Sequence, residues 1–367
     1  MHAAPHTYAV GTYTEKLAHV AGEGQGIHLI SLDPATAQLR LLASANDIPN
    51  PSYLCTNRAG TRLYAVSERA HDAALAVYAL APHPHAAPAL SLLQVRPLAG
   101  ADPCHVSLHE DAGLLCVSHY GSGELLCLRT DDAGLPTAAA WAYHGQGSGP
   151  VAARQEASHL HCALATSRGI VACDLGTDRI TLHAPHGDGA PVRTWTAAPG
   201  AGPRHALAHA GRLYVVNELD NTVSAYDPDA PGGGPYATTA LPEQARAAAG
   251  AAAGAAAGAA APAAALPAAL HAHPNGRWLY ASIRGVDRIA LLHLDGAGRP
   301  HLAGDYDAGG RTPRDFALSH DGAFLLSAAQ DEHRIRVHAI AADSGALQPV
   351  GVALALASPA CICPIPR

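Results

Sequence analysis

The sequence predicts an all-β fold, a seven-bladed β-propeller in which strands from the two chain ends complete one blade. Three observations support this prediction. A two-strand unit of similar pattern occurs six times, at intervals of about 45 to 65 residues. The chain ends supply the two halves of one further unit, and almost no segment has the apolar spacing of a helix. Several strands per unit at this interval are typical of propeller blades.

Each unit consists of an apolar strand, a short turn containing Gly, Ala or Asp, and a second strand rich in Leu, Tyr and Val. Further strand-like runs follow and would complete a four-stranded blade. The six units span 51–68, 103–120, 158–175, 203–218, 269–285 and 313–331. The runs that follow them include 76–80, 288–294 and 334–340.

The chain ends account for the seventh blade. The N-terminal segment contains only the second type of strand, at 7–13, followed by a run at 26–32. The C-terminal segment contains only the first type, at 358–365. Pairing the two gives a blade whose innermost strand comes from the C-terminus, and it removes the open sheet edges. We therefore predict that residues 1–367 form a single propeller domain.

Residues 245–269 interrupt the repeat with a low-complexity run of Ala, Gly and Pro. Alanine favours a helix, whereas the regularly placed glycines and prolines oppose one. A membrane span is not expected, because alanine is only weakly hydrophobic and the run lies inside the repeat array. We interpret the run as a surface loop enlarged between the fourth and fifth units.

The composition argues against several classes of protein. A net charge of −7 and 14% charged residues leave no basic stripe for nucleic acid, and 5% aromatic residues provide few platforms for base stacking. The eight cysteines include no CxxC and lie mostly in apolar runs, as buried hydrophobic residues do. No signal peptide is recognisable at the N-terminus. We expect a cytoplasmic protein that binds neither nucleic acid nor membrane.

Histidine is abundant, with 24 copies. The pattern HxH occurs at 83–85, 159–161 and 271–273, and on a strand such a pair can chelate a metal because its side chains share a face. No carboxylate or third ligand recurs beside these pairs. We therefore expect neither a metal site nor a cofactor.

A functional site is predicted at one end of the central channel that the seven blades surround. In the fourth unit, a turn at Ala210-Gly211 would place Arg204 opposite Asn217. Glu218 would then lie one position further on at the same end. The opposite ends of the units carry ordinary turn residues, and unpaired charges on innermost strands are costly, so this asymmetry indicates function. The residues predicted at the charged end are Tyr53, Glu68, His105, Tyr120, His159, His161, Arg204, His205, Glu218, Arg284, Arg314, Asp315 and Asp331.

The residue types at this end suit a small anionic substrate. Arg204 and Arg284 offer fork-shaped donors for carboxylate or phosphate. Glu218 and His159 can move protons, so we expect Glu218 to activate water with the help of His159. The alternatives are that Glu218 only orients Arg204 and that His161 only packs between blades. Substrate binding is assigned to His105, His161, His205 and Arg314.

The chain resembles the lactonase family of seven-bladed propellers, which includes bacterial 6-phosphogluconolactonases and fungal carboxy-cis,cis-muconate cyclases. The resemblance covers the chain from residue 8 to the C-terminal strand, apart from the alanine-rich run. The matching stretches are YAVGTYT, GIHLISLD, NPSYL, LYAVSE, DPCHVSL, RQEASHLHC, GPRH, YVVNELDNTV and RTPRDFALSHDG. The resemblance implies that the catalytic residues are His159, Arg204, Glu218 and Arg284.

What the resemblance implies is hydrolysis of a lactone, with 6-phosphogluconolactone as the first candidate. The alternatives are a cycloisomerase acting on a muconate-type lactone and a non-catalytic propeller that binds ligands or proteins. Three positions depart from the family pattern, where Ala269, Ile283 and Ala329 replace polar residues. These departures remove polar groups near the site and could change the substrate.

Overall fold

Seven four-stranded antiparallel sheets and one two-stranded sheet lie in the described part of the chain, which covers residues 4–80, 89–243 and 264–366 of this computed structural model. The N-terminal segment contains β1 (His6–Thr12), β2 (Lys16–Leu17), β3 (Val20–Ala21), β4 (Ile27–Asp33) and β5 (Gln38–Ala45). The first blade contains β6 (Tyr53–Thr56), β7 (Arg62–Ser67), β8 (Ala74–Leu80) and β9 (Leu90–Pro97). The second blade contains β10 (Pro103–His109), β11 (Leu114–His119), β12 (Glu124–Thr130) and β13 (Pro136–His144).

The remaining blades follow in chain order. The third contains β14 (Leu160–Thr166), β15 (Gly169–Asp174), β16 (Arg179–His183) and β17 (Pro191–Thr196). The fourth contains β18 (Pro203–His209), β19 (Arg212–Asn217), β20 (Thr222–Tyr226) and β21 (Ala237–Ala240). The fifth contains β22 (Leu266–Ala272), β23 (Trp278–Arg284), β24 (Arg288–Leu294) and β25 (Pro300–Asp307). The sixth contains β26 (Pro313–Leu318), β27 (Phe324–Ala329), β28 (Arg334–Ile340) and β29 (Leu347–Ala355), and two short 3-10 helices span Glu110–Ala112 and Gln330–Glu332.

The seventh sheet, here called the closing blade, has the strand order β30-β1-β4-β5, where β30 is Pro359–Pro364. Strand β30 pairs antiparallel with β1, and Tyr8 faces Pro364 while Val10 faces Ile362. The innermost strands of all seven blades contact one another in ring order, with β30 between β26 and β6. The predicted all-β propeller, closed by strands from both chain ends, is confirmed.

The hydrophobic core lies between neighbouring blades. One apolar cluster, for example, joins Val10 and Ile30 of the closing blade to Leu326 and Val337 of the sixth blade. Each of these four side chains is fully buried. Because every described blade is packed on both faces in this way, the inner strands are apolar and the polar residues near the channel must be accommodated by strand ends.

The hairpin of the fourth blade confirms part of the predicted register. Ala210 and Gly211 form the turn with φ of 48° and 75°, as the turn type that suits two-residue hairpins requires. His209 then faces Arg212, as predicted. At the open end the prediction is wrong, because Pro203 rather than Arg204 lies opposite Asn217. A bulge at Arg204 adds one residue to the strand and shifts the pairing.

The alanine-rich run is only partly described. The described chain resumes at residue 264, and residues 266–269 form the start of β22. The predicted insert, 245–269, therefore extends into this strand. The interpretation of 245–263 as a surface loop falls outside the described residues.

Candidate active site

Bulges at the start of the innermost strands position the side chains of the channel. The ladder skips one residue in each of five blades, and the skipped residues are Cys104, His161, Arg204, Arg314 and Ala360. A bulge re-aims the extra residue relative to the regular alternation of a strand. Four of the five, all except His161, line a common cavity of about 10 Å³ in the channel. The recurring bulge thus brings residues from distant blades to one place.

Glu218 lies at the centre of the site, with only 2% of its surface exposed. It follows β19, and its backbone N–H donates to the carbonyl of Gly202 at 2.8 Å. Three guanidinium groups surround its carboxylate. Arg154 Nη2 lies 2.7 Å from Oε1, Arg284 Nη2 lies 2.6 Å from Oε2, and Arg204 Nε lies 2.9 Å from Oε2. We call these four residues the Glu218 cluster.

Two arginines of the Glu218 cluster are also fixed by backbone carbonyl groups of the fifth blade. Arg204 Nη1 donates to the carbonyl of Ala268 at 2.5 Å, and Arg284 Nε donates to the carbonyl of Leu266 at 3.2 Å. Arg204 Nε makes a close ion pair with Glu218 but lacks the alignment of a hydrogen bond. The cluster is therefore a preorganised set of donors held from several sides.

Electrostatics keep Glu218 ionised. Burial disfavours its charged form, but the guanidinium groups of Arg284, Arg204 and Arg154 outweigh burial and hold the pKa of Glu218 well below its usual range. Burial lowers the pKa of Arg284 to about 10, against the attraction of Glu218, so this arginine is still charged at neutral pH. Three cations thus face one carboxylate, and the surplus positive charge suits an anionic ligand.

His159 lies beside this cluster, on the other side of Tyr120. Its ring stacks on Tyr120 with centroids 4.3 Å apart, and Nδ1 lies 2.9 Å from the backbone carbonyl of Tyr120. Because a carbonyl only accepts, Nδ1 carries a proton and donates it to Tyr120. Nε2 lies 3.0 Å from the carboxylate of Glu156, which is also an acceptor and whose side chain is 61% exposed. Nε2 therefore donates to Glu156 in this contact and can accept a proton only after it has lost its own and Glu156 has moved away. Tyr120 also contacts Arg154, at 3.4 Å.

The three histidines assigned to substrate binding form a buried group at the channel. The ring of His105 stacks on Tyr53 with centroids 4.2 Å apart, and the ring of His205 meets those of His105 and His161 edge-on, with centroids 5.4 Å apart in each pair. Burial, together with the charge of Arg204, lowers the pKa of both His161 and His205 well below the usual value. These two rings are therefore neutral and contribute shape and hydrogen bonding rather than charge.

Arg314 belongs to a second polar group across the channel. Its guanidinium lies 5.1 Å from the ring centroid of Tyr13, a cation–π contact. The hydroxyl of Tyr13 donates to Glu68 Oε2 at 2.9 Å, and Ser52 also donates to this oxygen. His19 Nε2 lies 3.6 Å from Glu68 Oε1. We call Tyr13, His19, Ser52 and Glu68 the Glu68 cluster, and with Arg314 it faces the Glu218 cluster across the mouth.

The structure brings together part of the residue set that the sequence predicted. Glu218, Arg204 and Arg284 come together as expected, His159 lies beside them, and Arg314 lies opposite. Sequence reasoning missed Arg154, although it stands in the RQEASHLHC stretch that supported the family resemblance. Its loop precedes β14 and lies outside the hairpin pattern, so only tertiary structure brings it to Glu218.

The three departures from the family pattern are fully buried. Ile283 packs in an apolar cluster between the fourth and fifth blades, and Ala269 joins an apolar cluster between the fifth and sixth. Ala329 lies opposite Pro313 at the start of β26. None of the three offers a polar side chain to the mouth, so the site depends on the arginines and carboxylates already described.

No group of three or more potential ligands within the described ranges has the arrangement of a metal site. The HxH pattern at 83–85 lies outside those ranges. Among the helices of the described chain, none has the length and apolar character needed to cross a membrane.

The comparisons with known proteins agree with this architecture. Residues 7–364 match the model of the family described as lactonase, 7-bladed beta-propeller. The chain belongs to this lactonase family. The seven recurring blades agree with this family description.

Several relatives of this lactonase propeller resemble it over nearly the whole length. The chain is 27% identical to a 6-phosphogluconolactonase of Bacillus subtilis, over 96% of both chains. It is 27% identical to a 6-phosphogluconolactonase of Formosa agariphila, over 92% of this chain and 94% of the other. A solved structure of a periplasmic gluconolactonase of Pseudomonas aeruginosa has a TM-score of 0.84 at 24% identity, over 99% of both chains, and this likeness concerns the fold alone.

Proposed function

We propose that this protein hydrolyses an anionic sugar lactone, with 6-phosphogluconolactone as the first candidate and 6-phosphogluconate as the product. The observation that supports the proposal is the Glu218 cluster, in which three arginines surround a single buried carboxylate. Such a surplus of fixed cations suits a substrate that carries phosphate and develops an oxyanion. Relatives of similar length carry the name 6-phosphogluconolactonase, which agrees with this assignment.

In the proposed reaction, water attacks the lactone carbonyl carbon and the carbonyl oxygen becomes an oxyanion. Arg204 and Arg284 stabilise this oxyanion, because their guanidinium groups are held in place before the reaction starts. The ring C–O bond then breaks, and the ring oxygen receives the proton that the attacking water released. The products are a free hydroxyl group and a carboxylic acid, which ionises to the carboxylate and releases one proton to water.

We assign the base role to His159 rather than to Glu218, which reverses the expectation from sequence. Both carboxylate oxygens of Glu218 are engaged by guanidinium groups, and its pKa is well below the usual range, so it is a weak base. His159 Nε2 has a lone pair when the ring is neutral, and its partner Glu156 is exposed enough to move away. Glu218 keeps the arginines aimed and remains ionised.

The close pairing within the Glu218 cluster also favours a second candidate, a propeller that binds an anion without reacting. In that case the arginines would be engaged by Glu218 in the same way, but no lactone would be turned over. Activity measurements separate the two candidates, since both bind anions.

The test is lactone hydrolysis on a small panel, with the spontaneous rate subtracted. The panel contains 6-phosphogluconolactone, glucono-δ-lactone and a muconate-type lactone. We expect the highest kcat/KM for the phosphorylated lactone. Preference for the muconate-type lactone would favour the cycloisomerase. Saturable binding of 6-phosphogluconate without turnover of any lactone would favour the non-catalytic candidate.

We further propose a cytoplasmic location. All eight cysteines are free in the structure, and seven of them are buried. Free thiols in this number are typical of reducing compartments.

A further inference from the structure

A small hairpin stands outside the seven-sheet ring in the described part of the chain. Strands β2 and β3 lie between β1 and β4 in the sequence, and they pair with each other. Val20 and Leu17 pack on Tyr13 and Ala360, and Ala360 lines the channel cavity. The hairpin therefore lies against the channel mouth, beside the Glu68 cluster.

The segment around the hairpin is held by several specific contacts. The carboxamide oxygen of Asn50 accepts hydrogen bonds from the backbone N–H groups of Thr14 and Glu15, each at 2.9 Å. The carboxylate of Glu15 makes an ion pair with Arg69 at 3.2 Å. Gly24 donates to the carbonyl of Tyr13 at 2.7 Å. These contacts fix the hairpin from both ends, so the residue at its tip has a defined position.

His19 occupies the tip of the hairpin. Its ring meets Tyr13 edge-on, with centroids 5.4 Å apart, and Nε2 lies 3.4 Å from the Tyr13 hydroxyl oxygen. The proton of that hydroxyl is donated to Glu68, so both neighbours of Nε2 present acceptors. Nε2 therefore carries the proton of the ring, which leaves Nδ1 as its acceptor nitrogen. The side chain is 47% exposed and can be reached by a ligand.

His19 also lies within the electrostatic range of both polar clusters of the mouth. Burial lowers its pKa, Arg314 and Arg284 lower it further, and Glu68 and Glu218 oppose them. The net shift is downward, so the ring is neutral at physiological pH. A neutral imidazole between cationic groups contributes hydrogen bonding without adding to the charge that attracts the substrate.

We propose that His19 is a specificity-determining residue that accepts a hydrogen bond from a ring hydroxyl group of the bound lactone. The proposal rests on the lactonase function proposed above. The arginines of the Glu218 cluster would take the anionic groups, which many small acids share. His19 would distinguish a polyhydroxylated acid from one without hydroxyl groups, because only the former can donate a hydrogen bond to its acceptor nitrogen. Tyr13 and Glu68 act through His19 by fixing which of its nitrogens accepts.

The test compares two ligands of equal charge by isothermal titration calorimetry, 6-phosphogluconate and 6-phosphohexanoate, which lacks the hydroxyl groups. For the His19→Ala variant we expect affinity for 6-phosphogluconate to fall about three- to tenfold, the loss typical of one neutral hydrogen bond. Affinity for 6-phosphohexanoate should be unchanged. His19→Asn places an amide oxygen near the position of Nδ1 and should restore part of the difference. The matched control is His301→Ala, an exposed histidine that is paired with Asp295.

Kinetics on 6-phosphogluconolactone provide the second readout. We expect His19→Ala to raise KM by the same factor and to change kcat less than twofold, with a melting temperature near that of the wild type. Equal losses for both ligands, or no loss for either, would overturn the role of His19 while leaving an active wild type as a lactonase. A wild type that neither hydrolyses the lactone nor binds 6-phosphogluconate would instead overturn the proposed function, and the role of His19 with it.

Discussion

Replacement of Glu218 by Gln tests whether the central carboxylate holds the arginines in place. The change keeps the size of the side chain but removes the buried negative charge that pairs with three guanidinium groups. Glu218 and Arg204 are each only 2% exposed, so water cannot replace the lost partner. Breaking a buried ion pair in this way costs about 3 to 5 kcal/mol. We expect a loss of about 3 kcal/mol in the free energy of unfolding, the lower end of this range, because Gln retains one acceptor oxygen.

The pH dependence of this loss has a defined sign. The folded pKa of Glu218 is below its unfolded value, so its ionisation stabilises the fold above the unfolded pKa of about 4.3. That contribution disappears as the pH falls through the folded pKa. The difference in stability between wild type and Glu218→Gln should therefore be constant from about pH 6 to 8 and should shrink below about pH 4.

The assay is urea unfolding followed by tryptophan fluorescence, at pH 7 and at pH 3.5. A matched control is Glu332→Gln, since Glu332 also pairs with two arginines, Arg311 at 2.8 Å and Arg334 at 2.5 Å, but is partly exposed at 30%. An exposed pair contributes little, so we expect the control to lose much less stability than Glu218→Gln. Equal losses for the two variants at pH 7 would refute the reasoning about the buried cluster.

Three further predictions follow from the closure, the insert and the base. Deletion of residues 358–367 removes β30 and exposes two sheet edges, so a large drop in melting temperature or aggregation is expected; a truncated chain that melts like the full chain would disprove the closure. Replacement of 245–263 by a short Gly-Ser linker should leave stability and turnover nearly unchanged, since loop closure changes by about 0.6 kcal/mol per doubling of length; lost activity in a folded variant would make the run part of the site. His159→Ala should lower kcat on 6-phosphogluconolactone by about 10²- to 10⁴-fold, and a near-normal kcat would return the base role to Glu218.

The fold was predictable because its signals are local. The turn at Ala210-Gly211 sets the hairpin register, and the same alternation of apolar residues recurs in each unit. The strand types at the two chain ends complement each other, which made the pairing of β30 with β1 predictable. Each of these features can be read within a few residues of sequence.

The details of the site were less predictable because they depend on bulges and on loops. The bulge at Arg204 adds one residue without disturbing the apolar pattern of the rest of the strand. The available signal for the bulge was a proline at the start of the innermost strand, as at Pro203 and Pro313. Arg154 and His19 come from loops, and their distance from Glu218 and Glu68 is set by the arrangement of blades rather than by spacing in the sequence.

The measurement that tests the central claim most directly is hydrolysis of 6-phosphogluconolactone by the wild type and by Arg284→Ala. Arg284 donates to Glu218 at 2.6 Å and is one of the two arginines assigned to the oxyanion. We expect the wild type to accelerate hydrolysis clearly above the spontaneous rate. The variant should lose about 10²- to 10³-fold in kcat/KM while it keeps the circular dichroism spectrum of the wild type. A wild type no faster than the spontaneous reaction, or a variant as active as the wild type, would contradict the claim that this protein hydrolyses a lactone by means of the Glu218 cluster.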